Sequence, residues 1–236
     1  MRTSSPFPDV GRRPIAFSMF AVAARLFRAS STLRREAITT GNIADFIDWQ
    51  QRVFGHQPTF FERREMLWER FAQRLDPDRT LVALEFGVAH GYATNWWLRR
   101  LGGSGVAWHG FDRFTGLPRA WRELDKGAFD TGGKPPAIDD GRVRWHVGDV
   151  QDTLGTVDLV AERDAQWLVL FDFDIYEPTA FVWKMISEHL GAGDLIYLDE
   201  AFDSDERRVL DEMILPSIGC EPIGVTAAGL GLAVTG

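Results

Sequence analysis

The sequence predicts an α/β fold: a doubly wound, mostly parallel sheet with extra helices ahead of it. Three observations carry that expectation. Short apolar runs of four to six residues recur after residue 80, at 81–86, 106–111, 143–147, 167–171 and 195–198. Stretches of helical spacing separate several of them, and alternating strands and helices build parallel sheets covered on both faces. Before residue 80 the apolar positions recur every three or four residues, the period of one helix face.

The elements follow in order. Residues 1–13 are rich in Ser, Pro and Arg and read as loose chain. Pro14 suits a first helical position, where its missing N–H costs nothing. Residues 15–27 are apolar and flanked by arginines, but the run is shorter than the ~20 residues that span a bilayer. A secretory signal shares that look. No domain-like break follows, so the preferred reading is an amphipathic helix without stable membrane insertion. It would pack on the domain, on a partner subunit or over the active site. Asn42 is placed to cap a helix through Ile43, Phe46, Ile47 and Val53. A further helix runs through Phe61, Met66, Leu67, Phe71 and Leu75, and Asp76-Pro77-Asp78 stops it. Residues 1–80 thus form a helical segment for lid, acceptor or homo-oligomer contacts, and residues 81–236 form the sheet domain. Within that domain helices are expected at 90–101, 178–190 and 204–214, and one or two strands between 221 and 235. Residues 125–141, rich in Gly, Pro and Asp, read as a mobile loop beside the site.

Composition bounds the function. With 236 residues, 45% of them hydrophobic, the chain can bury one sizeable core. A net charge of -8 argues against nucleic acid as a partner, because phosphate neutralisation favours basic proteins. The single cysteine, Cys220, excludes an internal disulfide and a cysteine-based metal site. It fits a reducing compartment, so a cytoplasmic location is expected. Nine tryptophans and seventeen phenylalanines suffice for a core and for part of a pocket wall.

The richest segment is Leu84-Glu85-Phe86-Gly87-Val88-Ala89-His90-Gly91. It closes the first apolar run and opens a helix. In open parallel sheets ligands bind beyond the carboxyl ends of the strands, where strand order reverses. Gly87 and Gly91 let the backbone approach a ligand closely. A pyrophosphate site would favour Gly-x-Gly-x-x-Gly. Here the spacing is Gly-x-x-x-Gly after an acid, and Glu85 would attract the ammonium of S-adenosylmethionine (SAM), directly or through water. The competing reading is a plain strand-to-helix turn with a partly buried acid. Asp112 ends the second run, about the distance expected of an acid that accepts from ribose hydroxyls. Otherwise it is a strand-end carboxylate in solvent. Asp149 ends the third and would face the adenine edge, although Gly-Asp is also ordinary turn chemistry.

Two acid pairs follow. Asp172 and Asp174 end the fourth run, and Asp199 and Glu200 end the fifth. Neighbouring strands lie ~5 Å apart, so these carboxylates would crowd one end of the sheet and resist ionisation. A hard cation relieves that crowding, and oxygen ligands suit Mg²⁺, with Ca²⁺ or Mn²⁺ as alternatives. Capping of the next helix by Asp172 and Asp174 is the plainer reading. A cation on an acceptor hydroxyl would lower its pKa, a carboxylate would take the proton, and the oxygen would attack the sulfonium methyl. Asp174 is the candidate base and His90 the second choice.

Five segments together, LEFGVAHG (84–91), FDRFTGLP (111–118), GDVQDTL (148–154), FDFDIYEPT (171–179) and LIYLDEA (195–201), resemble the macrocin O-methyltransferase-like family of class I SAM-dependent methyltransferases. The resemblance covers roughly residues 81–201. It implies a Rossmann-like SAM domain, Mg²⁺ dependence and a sugar hydroxyl acceptor, free or within an oligosaccharide or glycosylated product. By that similarity Asp172, Asp199 and Glu200 match metal-ligand positions and Asp174 the base. Glu85, Gly87, Asp112 and Asp149 fall at SAM-contact positions, and Tyr176 matches an aromatic position after the acid pair; Phe86, Gly91 and Asp172 join them as cofactor-binding candidates. Two departures stand out: Glu200 where the family has Asp, and His90-Gly91-Tyr92 where Arg-Gly-Gly is typical. A phenol or catechol acceptor and a non-catalytic SAM-binding protein are the alternatives.

Overall fold

Five apolar runs form the parallel part of one seven-stranded sheet. They are β1 (Leu81–Phe86), β2 (Val106–Asp112), β3 (Val143–Val147), β4 (Gln166–Phe171) and β5 (Leu195–Leu198). β1, β4 and β5 are buried along their whole length, as strands covered on both faces must be. β6 (Cys220–Val225) and β7 (Leu230–Val234) complete the order β3-β2-β1-β4-β5-β7-β6. β7 runs antiparallel to both β5 and β6. The computed structural model describes residues 22, 24, 28, 30–103, 105–122, 124–159 and 164–236.

The helices are α1 (Ser31–Phe54), α2 (Arg64–Ala72), α3 (Tyr92–Leu98), α4 (Val150–Thr153), α5 (Tyr176–Ile186) and α6 (Ser204–Val209). α6 continues through a wider π turn at Leu210–Ile214 and a last turn at Leu215–Ser217. The chain divides into two units, Met1–Asp45 and Phe46–Gly236. In the first, the described chain from Ser31 is helical, and the Ser30 hydroxyl accepts from the Leu33 N–H. Leu33 and Ile38 are exposed there. Residues 46–80 belong to the same unit as the sheet. The expected helix at 15–27 lies outside the described residues apart from Val22 and Ala24, and Pro14 lies outside them altogether. No described helix is long and apolar enough to cross a membrane.

Several boundaries differ from the expectation for local reasons. Asn42 caps nothing: it sits inside α1, which passes unbroken through Gly41 and Asn42. The helix expected from residue 90 begins at Tyr92, because Gly91 takes a left-handed φ of 73° and turns the chain first. The helix expected from 178 begins two residues earlier, at Tyr176. Pro178 then falls in the first turn, where no N–H is required.

The core places the site. Leu67, Trp68 and Phe71 of α2 are fully buried, with Trp68 and Phe71 edge-on to Tyr197 of β5 at 5.8 and 6.1 Å. Gly231 of β7 makes room for this packing: a Cβ there would lie 2.3 Å from Phe71. α2 is thereby held against the sheet with its first residue, Arg64, near the carboxyl end of β5.

Candidate active site

A cavity of about 1030 Å³ opens along the carboxyl ends of the parallel strands. Glu85, Gly87, His90, Asp112, Asp149, Asp172, Asp174, Asp199 and Glu200 all border it. The register explains why. Phe86 of β1 pairs with Phe111 of β2 and Phe171 of β4, and Phe171 pairs with Leu198 of β5. The residue after each strand therefore arrives at one edge. Strand order reverses between β1 and β4, the place where such sheets bind ligands. There the turns are in intimate contact: a Cβ on Gly87, whose φ is 89°, would lie 1.9 Å from the Asp172 carbonyl oxygen.

Two expected residues do not border the cavity. Phe86 is a core residue, its ring stacked at 5.0 Å on Phe111 and 5.6 Å on Phe171. A strand alternates its faces, so Glu85 and Phe86 point oppositely. Gly91 acts through shape, since a Cβ there would meet Pro136 at 2.7 Å. The segment expected as a loop at 125–141 thus packs on the first turn. Tyr176 also stands apart: its hydroxyl donates to Glu212 at 3.0 Å and Arg208 lies over its ring.

At the β1–β2 side the polar groups are tied into the fold. The Asp112 carboxylate accepts from the Val88 and Ala89 N–H groups at 2.8 Å and from Phe114 N–H at 2.7 Å. Three of its roughly four acceptor sites are used, leaving capacity for a ligand hydroxyl. Glu85 is 2% exposed, and one of its oxygens accepts from Thr94 at 2.5 Å and Trp108 at 2.7 Å. Burial raises its carboxyl to about 7 against the pull of those donors. Asp149 is more exposed and pairs with Arg113 at 3.0 Å. His90 is exposed on the turn.

The β4–β5 side is crowded. Asp174 is 9% exposed and holds a left-handed φ of 65°, unusual for any residue but glycine. Its carboxylate accepts no hydrogen bond among the described residues. Burial first, then the Glu200 and Asp199 charges, raise it to about 7, with Arg122 opposing. Burial and the charges of Asp199 and Asp174 push the Asp172 carboxyl well up. Asp199 accepts from Tyr197 at 2.5 Å and Arg64 at 3.1 Å. Glu200 pairs with Arg122 at 3.0 Å, and burial still lifts it to about 7. A fifth acid stands behind them. Glu206 of α6 is wholly buried; its Oε2 accepts the Glu200 N–H at 3.0 Å, and its Oε1 has no partner among the described residues.

Arg64, Arg122 and Glu206 carry no sequence signal of their own. Arg64 follows from the docking of α2. Arg122 is delivered by a tight turn in which Trp121 and Leu124 exchange both backbone hydrogen bonds at 2.9 Å. Glu206 is within reach of the β5 turn because Asp203 caps α6 two residues past that turn's glutamate–alanine step.

A divalent cation fits this donor set in chemistry but not in position. The groups are hard oxygens, and Asp174 is an uncompensated buried acid. Among the described residues, however, no three acidic, histidine or cysteine side chains converge on one point. Asp199 and Glu200 are drawn to arginines instead.

The architecture has relatives among solved structures. The chain is similar to the crystal structure of the calicheamicin methyltransferase CalS11 over 98% of its own length and 99% of the other, at 20% identity and a TM-score of 0.58. It has the Rossmann-like fold of such methyltransferases. An apo structure of CalS11, described as a TDP-rhamnose 3'-O-methyltransferase of calicheamicin biosynthesis, is similar over 72% of this chain and 77% of that one, with 23% identity and a TM-score of 0.52. The O-methyltransferase NovP matches over 73% and 78%, at 18% identity and a TM-score of 0.54. No family model matches the sequence, and no curated protein does.

Proposed function

We propose that the protein is a SAM-dependent O-methyltransferase acting on a hydroxyl of a sugar or saccharide-containing acceptor. One observation carries this reading: a buried acid without a hydrogen-bond partner among the described residues, Asp174, shares a single cavity with Gly87 and Asp112. The fold likeness to O-methyltransferases, one of them described as acting on TDP-rhamnose, supports it.

The cavity suits the donor. Its volume of about 1030 Å³ accommodates a drug-sized ligand and an acceptor beside it. Its carboxylates favour a molecule that carries both an ammonium and a sulfonium charge. SAM, when bound, supplies a methyl group on positively charged sulfur. Glu85 would face the ammonium, with its second oxygen free of the Thr94 and Trp108 donors. Asp112 would hold the ribose hydroxyls, and Asp149 would face the adenine edge. Asp174 takes the proton of the acceptor hydroxyl. That oxygen then forms its bond to the methyl carbon as the carbon–sulfur bond breaks, and the electron pair stays on sulfur. A carboxyl lifted to about 7 is a better base than an ordinary aspartate. The reaction is written without a divalent cation, because Asp172, Asp199 and Glu200 do not converge on one point among the described residues. The single cysteine, which cannot form an internal disulfide, fits the proposed reducing, cytoplasmic setting.

A phenol or catechol acceptor is the second reading, favoured by the Tyr92, Trp121, Phe129 and Phe173 rings on the cavity wall. Transfer of labelled methyl from SAM to a panel of sugars, nucleotide sugars and catechols separates the two. Turnover confined to catechols would overturn the saccharide reading, and the absence of transfer to either class would overturn both.

A further inference from the structure

Arg64 borders the same cavity, and its seat is built from two helices. It opens α2, whose Leu67, Trp68 and Phe71 are fully buried. Its guanidinium lies over the Trp68 ring at 5.2 Å and the Tyr92 ring at 5.0 Å. Tyr92 is the first residue of α3, directly after the Gly91 turn, and its hydroxyl donates to Glu65 at 2.6 Å. The two helix starts are thus tied together around the guanidinium. One nitrogen, Nη1, donates to Asp199 at 3.1 Å, while Nε and Nη2 make no hydrogen bond among the described residues. A guanidinium carries five N–H donors in a planar fork, so most of its donor capacity is left for something else. Burial works against the charge, but Asp199 and Asp172 outweigh it and raise the pKa, and the group stays cationic.

Nine acids and three arginines border the cavity, so a ligand that brings its own carboxylate needs one of those arginines. Arg113 is engaged by Asp149 at 3.0 Å, beyond β3, and Arg119 by Glu177 at 2.9 Å, on α5. Of the three, Arg64 is the one that meets the start of α3, the helix whose Thr94 binds Glu85. SAM carries its ammonium and its carboxylate on one carbon. With Glu85 facing the ammonium, the carboxylate lies close by, among acids that repel it. We propose that Arg64 binds the carboxylate of SAM with the Nε and Nη2 donors that Asp199 leaves free. The acid-rich wall by itself favours a cofactor without a carboxylate, and Arg64 reverses that preference. The cofactor is then selected by both charges of its amino-acid end, Glu85 reading one and Arg64 the other. This inference rests on the SAM reading of the site and adds to it a residue that the strand-end motifs do not contain.

The test is calorimetric titration of the full-length protein with two ligands, SAM and decarboxylated SAM, which keeps the amine and the sulfonium but lacks the carboxylate. Wild type should bind SAM at least ~10-fold more tightly than the decarboxylated form, the scale of one charge-assisted fork. Arg64→Gln should weaken SAM by at least ~10-fold and leave the decarboxylated form within about threefold of wild type, so that the preference disappears. Arg64→Lys keeps the charge and loses the planar fork. It should retain part of the preference, and it carries the test if the glutamine variant does not fold. Equal weakening of both ligands would make Arg64 a structural support and overturn the proposal. So would an unchanged preference for SAM in a folded Arg64 variant. A wild-type protein that binds neither ligand would overturn the methyltransferase reading and this proposal with it, whereas tight SAM binding that does not depend on Arg64 contradicts only the role given to Arg64.

Discussion

The two ends of the cavity treat their acids in opposite ways. At the β1–β2 end, Asp112 accepts from three backbone N–H groups, and one oxygen of Glu85 accepts from a threonine and a tryptophan. The fold holds these carboxylates in place and leaves each some acceptor capacity. At the β4–β5 end, Asp172 and Asp174 are crowded by their neighbours, and two arginines only partly offset the charge. The first end is preorganised to receive a ligand, and the second stores electrostatic tension that a reaction can use. Such tension at a site is expected where a group must change protonation during turnover.

Four experiments break or sharpen that contrast. Asp174→Asn keeps the shape but removes the proposed base. Turnover should drop by ~10²-fold or more, while calorimetry should show SAM affinity within about threefold of wild type, a rough bound for a side chain on the far side of the cavity. Gly87→Ala strikes the junction of the two ends. With a φ of 89° and a carbonyl 1.9 Å from the new Cβ, it should cost roughly 3 kcal/mol in urea unfolding. Asp112→Ala leaves three N–H groups without their acceptor and should lose about 2 kcal/mol, with SAM bound far more weakly. A stability unchanged by that substitution would mean the carboxylate is not what secures the turn.

The smallest effect lies away from the cavity. His109 and His146 stack at 5.2 Å with Nδ1 and Nε2 3.0 Å apart. Burial, then the His146 and Arg144 charges, lower His109 from its ordinary 6.5 to about 4. The unfolded chain therefore takes up a proton between those values and the folded one does not, so stability falls as pH drops from 6.5 toward 4. Between pH 7.5 and 5 the loss should be about 2 kcal/mol. Melting temperatures of wild type and His109→Gln across that range check it; equal losses in both would remove His109 as the cause.

Much of this contrast was legible in the sequence, but unevenly. β1 and β5 fell at 81–86 and 195–198 as expected, because fully buried strands are continuous apolar runs. Glycine and acid positions after the strands were readable because turns and strand ends constrain residue type strongly. Asn42 misled because a side chain able to cap a helix is also tolerated within one when the flanking helix is long. Phe86 misled because motif adjacency says nothing about which face a strand residue takes. Arg64 and Arg122 were not legible. Each meets the acid cluster from ~80 to ~135 residues away in the chain, and only the docking of α2 and the tight turn at 121–124 bring them there.

The central claim is that the two ends form one site with separate tasks, donor binding at Asp112 and chemistry at Asp174. Calorimetric titration of SAM into folded wild type, Asp112→Asn and Asp174→Asn tests it most directly. The expected result is one SAM per wild-type chain, affinity at least ~10-fold weaker in Asp112→Asn, and affinity near wild type in Asp174→Asn. No heat of binding to the wild-type protein, or equal affinity in all three, would contradict it.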